Sequence, residues 1–386
     1  MEDKNRIRYY AQELKSNTYN LTRMNLVMRG ILPDNIVTRN GDTLEDDWPY
    51  FEDSDPVGTY DPLYVDAVVS NPPYSQRWDS SGRENDLRYS RYGLAPKSKA
   101  DYAFLLHDLY HLRPDGIMAI VLPHGVLFRG GEEGQIRKNL IEQNNIDAII
   151  GLPANIFFGT GIPTIIMILR QKRENTDVLV IDASKGFTKE GKNNRLRPSD
   201  IRRVVDTVKG RLSIEKYSRL VSRDEIRAND YNLNIPRYVD SSEETGSYDI
   251  YASMFGGIPV SELAVLDSYW EVFPSLKENL FTGDDEYVSV KNEDIKTTIR
   301  NNLDVQNFLG RFHSRFADFG EYLDKNLIDQ SLSLSIPKME EQIASDLFDH
   351  FSGIPILDPY QAYESFEEKY SIISGDLELV QSEGID

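Results

Sequence analysis

The sequence predicts an α/β protein: a sheet built from βαβ units, followed by an acidic, mainly helical C-terminal region. Three observations carry this prediction. Short apolar runs alternate with helical patterns across residues 1–182. The run IMAIVL at 117–122 is apolar at every position, as strands buried on both faces are. Charge is also unevenly divided: residues 1–239 carry 34 Lys+Arg and 33 Asp+Glu, whereas 240–386 carry 9 and 30.

The elements follow in chain order. Ile7–Ala11 reads as a strand. Asn17–Arg29 reads as a helix, with Leu21, Met24 and Met28 at spacings of three and four and Gly30 as a stop. Ile36–Arg39 and Tyr64–Ser70 (YVDAVVS) are strands. Ala100–Leu112 is helical and ends at the turn Arg113-Pro114-Asp115-Gly116. The strand Ile117–Leu122, the helix Arg137–Gln143 and the strands Ile146–Gly151, Thr164–Arg170 and Val178–Ile181 continue the pattern. Ser199 is a candidate N-cap for a helix with Ile201, Val204, Val205 and Val208 on one face. Ser222 and Glu225 have capping-box spacing. Residues 240–250 are polar and read as a linker; 251–386 read as helices with Gly/Pro turns.

Composition excludes several classes. Hydrophobic residues make up 40% and charged residues 27%, which suits a chain with a real core. The absence of cysteine excludes a disulfide scaffold, a Cys-ligated zinc site, an iron–sulfur cluster and a thiol nucleophile. No apolar run reaches the roughly 18 residues of a membrane span, and Met1–Lys4 is charged where a secretory signal would turn apolar. The expected location is cytoplasmic. The net charge of −20 resides almost wholly in the C-terminal part, so residues 1–239 can approach a polyanion and the remainder cannot without a cationic partner. Acidic helices that merely keep the protein soluble are the simpler reading of that charge.

The sharpest chemical signal is Asn71-Pro72-Pro73-Tyr74, directly after the strand YVDAVVS. That is a strand's carboxyl end, where open α/β sheets bind ligands. An exocyclic amine on a nucleobase is a poor nucleophile, because its lone pair is delocalised into the ring. Acceptors that draw its hydrogens out of plane localise the pair on nitrogen. The Asn71 side-chain oxygen and the Pro72 carbonyl are placed to be those acceptors. Proline fixes φ and brings no competing N–H, and a residue before proline is biased to extended backbone. The result is a stiff acceptor pair, the preorganisation that electrostatic catalysis requires. Tyr74 offers a face for stacking a base taken out of a duplex. On the tetrapeptide alone, an ordinary Pro-Pro turn is the alternative.

With its surroundings, this motif resembles the modification (M) subunit of type I restriction-modification systems, a DNA adenine-N6 methyltransferase. The resemblance runs through Tyr19–Asn25 (YNLTRMN), Leu94–Asp101 (LAPKSKAD) with Phe104, Arg129–Gly131, Ile136–Lys138, Leu152–Thr160 (LPANIFFGT), Asn229–Tyr238 (NDYNLNIPRY) and Tyr251–Pro259 (YASMFGGIP). It implies a partial Rossmann-like S-adenosylmethionine-dependent methyltransferase sheet, with S-adenosylmethionine as methyl donor and no metal. Asn71, Pro72, Pro73 and Tyr74 match the family's catalytic loop. Glu13 matches the acidic residue that accepts from the cofactor's ribose hydroxyls, and Asp42 the one near its adenine. Phe157 and Phe158 stand where related enzymes pack an aromatic against the flipped base; core packing explains either ring as well. Lys97, Lys99, Arg129, Arg137 and Lys138 are candidate phosphate contacts or ordinary surface cations.

The implied partners are DNA, a specificity (S) subunit that reads its sequence, and a restriction (R) subunit that joins for cleavage. Two M subunits per S subunit are implied, with the acidic C-terminal helices docking on the S subunit. The family's N-terminal helical region and the glycine-rich loop before Glu13 have no counterpart in the sequence, so the resemblance implies a fragment. Alone it is expected to bind cofactor weakly or not at all, to be inactive, and to leave apolar sheet edges exposed. The expected organisation is a methyltransferase core over 1–182, incomplete at its N-terminus, a basic helical and loop extension over 183–239, and an acidic helical region over 240–386.

Alternatives remain open. Protein-glutamine methyltransferases share the Asn-Pro-Pro-Tyr motif, and cytosine-N4 enzymes usually carry Ser in place of Asn71. A non-catalytic module that only assembles with the S subunit is a third reading. His107 and His111 have a spacing that can suit zinc, but Asp108 follows His107 where metalloproteases carry Glu. Asp284-Asp285-Glu286 reads as a solvated acidic turn. Neither a serine-hydrolase elbow nor a Walker A loop is present.

Overall fold

The structure is a computed structural model that describes residues 4–45, 63–157, 160–241, 249–283, 286–329 and 335–383. It divides into two compact units, one of residues 1–196 and 203–242, the other of 197–202 and 243–386.

The first unit holds two sheets that bear on the site. In the smaller, β1 (Tyr9–Glu13) and β2 (Ile36–Asn40) pair in parallel, with α1 (Ser16–Met28) as their crossover. The first strand therefore lies two residues later than the apolar run suggests, and Glu13 is its last residue.

The larger sheet has six strands. They are β3 (Val65–Ser70), β4 (Leu112–Pro123), β5 (Ile146–Gly151), β6 (Thr164–Leu169), β7 (Val178–Asp182) and the edge strand Ser218–Val221. The spatial order is the Ser218–Val221 edge, β7, β5, β6, β4, β3. The sheet is mixed: β3 runs parallel to β4, and β5 to β7, while β6 is antiparallel to both of its neighbours. A run of six apolar residues fits either sense, so local composition did not disclose this. β3 forms one edge, and its Val69 is 90% exposed.

α2 (Asp101–Tyr110) and α3 (Gly131–Glu142) pack on this sheet. Their inward faces join Met118, Ile120 and Leu122 of β4 and Ile165 and Met167 of β6 in one core. Each such side chain, fully buried, contributes about 1.5–3 kcal/mol. Tyr102 is fully buried, yet its hydroxyl donates to the Val126 carbonyl at 2.9 Å, so that hydroxyl is not stranded.

The sequence expectation of a turn at Arg113–Gly116 is corrected. Strand β4 runs through these residues, and its register against β3 shifts between Val65 and Ala67. Gly116 sits at this irregularity, where a Cβ would meet the Asp66 carbonyl at 2.9 Å and Leu112 Cδ1 at 2.7 Å. The Pro-Asp-Gly string marks a bulge here, not a chain reversal.

Ser199 lies inside its helix, which spans Pro198–Gly210, so it is not the N-cap; proline takes the first helical position. Ser222 does cap its helix, Arg223–Ala228, its Oγ accepting from the Glu225 N–H at 3.2 Å.

The second unit is mainly helical. Helices Pro274–Leu280 and Leu303–Arg315 share a core of Leu276, Leu280, Phe273 and Phe308, and Ile336–Phe351 with Pro359–Glu383 share one of Ala344, Leu347 and Tyr363. It also contains a small antiparallel sheet of Ile258–Pro259, Tyr287–Val290 and Phe281–Gly283, which the sequence reading did not expect. The acidic pair Asp284-Asp285 lies outside the described residues. Among the described residues, no helix is long and apolar enough to cross a membrane.

Candidate active site

β3 ends at Ser70, paired with Ile120 of the parallel strand β4. Asn71-Pro72-Pro73-Tyr74 therefore leaves the carboxyl end of the sheet beside Pro123-His124, which leaves the end of β4. Pro72 is buried while Asn71 and Pro73 are exposed, so the corner is anchored at its centre and open at its asparagine. The Tyr74 hydroxyl donates to Asn71 Oδ1 at 2.9 Å. Burial pushes the Tyr74 phenol above its ordinary pKa, so it stays a donor at neutral pH. An amide oxygen has two lone pairs, and one remains for an incoming N–H. The Tyr74 ring meets Phe157 edge to face, centroids 6.2 Å apart. The structure thus brings together two of the aromatic residues singled out from sequence; Phe158 lies outside the described residues.

Glu13 ends β1 of the smaller sheet, and Asp42 lies two residues past the end of β2. Asn40 binds the strand ends together: its Nδ2 donates to the Glu13 carbonyl at 2.7 Å and the Leu14 carbonyl at 3.0 Å. Glu13 Oε1 accepts the Lys15 N–H at 2.8 Å, and Asp42 Oδ1 accepts the Leu44 N–H at 2.9 Å. The Glu13 carboxylate at one strand end and the Asp42 carboxylate just past the adjacent parallel strand form an acceptor set that fits the hydroxyls and base amine of a nucleoside cofactor.

The loop carrying Asp42 is fixed to the larger sheet by Leu44, which is 2% exposed in the main core, and by Arg88. The Arg88 guanidinium donates to the carbonyls of Thr43 at 3.1 Å and Leu44 at 3.3 Å, and pairs with Asp86 at 2.7 Å. Sequence reasoning missed Arg88 and Asn40, because each acts on a partner more than twenty residues away.

The other candidates fall apart by geometry. Arg137 is buried and donates to the carbonyls of Val126, Arg129 and Tyr231, so it is a structural strut and not a phosphate contact. Arg129 is paired with Asp101 and Glu133. Lys97 donates to Ser81 Oγ at 2.6 Å, and the Lys138 ammonium sits over the Tyr231 ring at 5.5 Å. His107 approaches Arg88 and His111 the Leu63 carbonyl, and among the described residues no group of His, Asp and Glu could hold a metal ion. Burial holds the His124 imidazole below its ordinary pKa.

Asp108 of α2 is hydrogen-bonded with Ser70, the residue that precedes the corner. Its Oδ2 is shielded from solvent without a hydrogen-bond partner, although the residue keeps some accessible surface. Burial pushes its carboxyl from 3.8 up to about 7, against the opposing pull of a hydrogen bond with Ser70 and of His111. Between those two values the folded state holds a proton that the unfolded chain has released. Stability must then fall as pH rises through this window and level off above it. The Asp108→Asn variant should lack that fall. A difference in melting temperature between wild type and variant that stays constant from pH 4.5 to 8 would refute this.

A sheet of this order with an Asn-Pro-Pro-Tyr corner at the end of its edge strand defines an α/β methyltransferase domain. The chain belongs to the N-6 DNA methylase family, whose model matches residues 1–247. It is 41% identical over 252 residues to the type I restriction enzyme MpnII methylase subunit of Mycoplasma pneumoniae, covering 63% of this chain and 45% of that protein. It is 33% identical over 278 residues to the MjaVII methylase subunit of Methanocaldococcus jannaschii, covering 67% and 45%. The crystal structure of a type I restriction-modification methyltransferase subunit from Streptococcus thermophilus is similar at a TM-score of 0.59 and 51% identity, covering 62% of this chain and 50% of that one. The chain spans about half the length of the curated relatives it matches.

Proposed function

We propose that this chain is the catalytic part of a DNA adenine-N6 methyltransferase, the modification subunit of a type I restriction-modification complex. The observation that carries the reading is the corner itself: an exposed Asn71 acceptor, held by Tyr74 beside the Phe157 ring, at a strand's carboxyl end.

S-adenosylmethionine, bound through Glu13 at its ribose and Asp42 near its adenine, supplies an electrophilic methyl group on sulfonium sulfur. This chain's residues prepare the amine. An adenine swung out of the duplex stacks on Tyr74, whose ring Phe157 supports edge to face. Asn71 Oδ1 and the Pro72 carbonyl accept from the two N6 hydrogens, bending them out of the ring plane. The nitrogen lone pair is then free to form the new N–C bond as the C–S bond breaks, and the surplus N6 proton passes to water. No residue acts as a strong base; orientation and fixed dipoles do the work.

DNA sequence is read by an S subunit, and an R subunit joins for cleavage. The acidic second unit docks on the S subunit, two modification subunits per S subunit, in the cytoplasm. The complete subunit, assembled with its S subunit and given tritiated S-adenosylmethionine and unmethylated DNA, should yield N6-methyladenine on digestion and mass spectrometry. Label on cytosine N4 or on a glutamine-bearing peptide, or none at all, would refute the proposal.

A further inference from the structure

Ser75 follows the corner directly. Its φ is +52°, left-handed backbone that a residue with a side chain holds only where its surroundings impose it. The imposing group is visible. The Ser75 N–H donates to Asp101 Oδ1 at 2.6 Å. Asp101 is the first residue of α2, and its side chain is 1% exposed.

A buried carboxylate of this kind needs compensation. Arg129 Nη1 provides it, at 3.2 Å from Asp101 Oδ2, and the same nitrogen lies 2.8 Å from Glu133 Oε1. Glu133 is itself buried; burial pushes its carboxyl up while Arg129 pulls it back down. Gly125 makes the approach possible: a Cβ there would stand 2.5 Å from Arg129 Nε. One guanidinium is shared between two shielded carboxylates, and the N–H of Ser75 is aimed at that of Asp101. This is a charge-assisted bond, the stronger class. A second link lies beside it, from the Ala100 N–H to the Gln76 carbonyl at 2.8 Å. The loop after β3 is thereby tied to the loop after β4 and to the first turns of α2 and α3.

We infer that Asp101 is a positioning residue for the Asn71–Tyr74 corner, seated by Arg129 and Glu133. The inference rests on the reading of that corner as the amine-binding site. Asp101 touches no substrate. It fixes the backbone at Ser75, hence the exit direction of Tyr74 and, through the Tyr74 hydroxyl, the Asn71 acceptor. Letting that corner swing by about 1 Å can cost about 10²-fold in rate without altering affinity.

The test uses the complete subunit in its complex, with Asp101→Leu and Asp101→Asn as variants, followed by steady-state kinetics and by hydrogen exchange at the Ser75 amide. The leucine variant should lose about 10–100-fold in kcat, keep KM for DNA and for cofactor within about twofold, and lose about tenfold in Ser75 protection. The asparagine variant retains an acceptor for that N–H and should keep the protection and kcat within about threefold. An unprotected Ser75 amide in the wild type, unchanged protection in the leucine variant, or a loss that appears in KM alone would overturn the inference. The wild-type exchange measurement decides it even if the leucine variant does not fold. A wild type that protects Ser75 but never methylates adenine would instead refute the functional reading and leave the clamp standing.

Discussion

Asn71→Ala, made in the complete subunit, is expected to lower methyl transfer to adenine by about 10²–10³-fold, the usual cost of one preorganised polar group at a reacting centre. Asn71 is exposed at a strand's end and supports no core, so the loss should come without loss of fold. Its Oδ1 already takes one hydrogen bond, from the Tyr74 hydroxyl at 2.9 Å. The remaining lone pair is the acceptor for the amine, and alanine removes it entirely. DNA affinity should stay within about twofold, because backbone phosphates dominate it. Two companions sharpen the outcome. Tyr74→Phe keeps the ring and loses only the bond to Asn71, so a drop of less than about tenfold follows from one neutral hydrogen bond. Tyr74→Ala also loses the stacking platform, about 1–3 kcal/mol for a base on an aromatic ring. Should Asn71→Ala retain more than a tenth of wild-type kcat, the corner is an ordinary turn and the chemistry lies elsewhere.

What the sequence discloses and what it hides divide along the range of the interactions involved. The corner is legible because proline acts on its own residue and the one before it, and because YVDAVVS is a strand by local pattern. The strands at 146–151, 164–169 and 178–182 are legible for the same reason. Strand direction is not: an apolar run looks alike from either end, so the antiparallel insertion of β6 between β4 and β5 emerges only from the structure. Arg113–Gly116 misleads because Pro-Asp-Gly serves turns and bulges equally, and only the β3 partner decides between them. The cations mislead most. Arg129 and Arg137 look like phosphate ligands when read singly. Each is committed, Arg129 to acidic partners and Arg137 to backbone carbonyls, and sequence separation hides Asp101 from the first and Tyr231 from the second. Arg88, which sets the loop of Asp42 against the main core from 45 residues away, gives no local signal at all.

The same long-range logic makes Asp147→Ala strongly destabilising to the α/β unit. Asp147 sits on β5 where its register against β6 shifts between Ile146 and Ala148, so the bulge turns its carboxylate off the ladder. There it meets three guanidiniums: Arg170 at 3.1 Å, Arg173 at 3.0 Å and Arg211 at 2.5 Å. Arg173 has a side chain only 4% exposed and also donates to the carbonyls of Ile146 and Asp177. Burial holds its guanidinium below the ordinary range, against the pull of Asp147. The Arg211 side chain, from the turn after helix Pro198–Gly210, is 23% exposed and reaches Asp177 as well. Removing Asp147 leaves Arg211 its pair with the Asp177 carboxylate, and leaves the buried Arg173 with the backbone carbonyls of Ile146 and Asp177. Breaking a buried pair from one side costs about 3–5 kcal/mol, because the remaining charge stays shielded and unpaired. Asp147→Asn keeps hydrogen bonds but not charge, so its cost should be intermediate. The check is the opening free energy of the Ala148 and Ile149 amides by hydrogen exchange, which isolates this unit from the other. Because the cluster is largely enclosed, the loss should persist in 1 M salt, where the Debye length is about 3 Å and exposed pairs are screened out. A cost below about 1 kcal/mol, or one abolished by salt, would show that the cluster is no more than a surface ion pair.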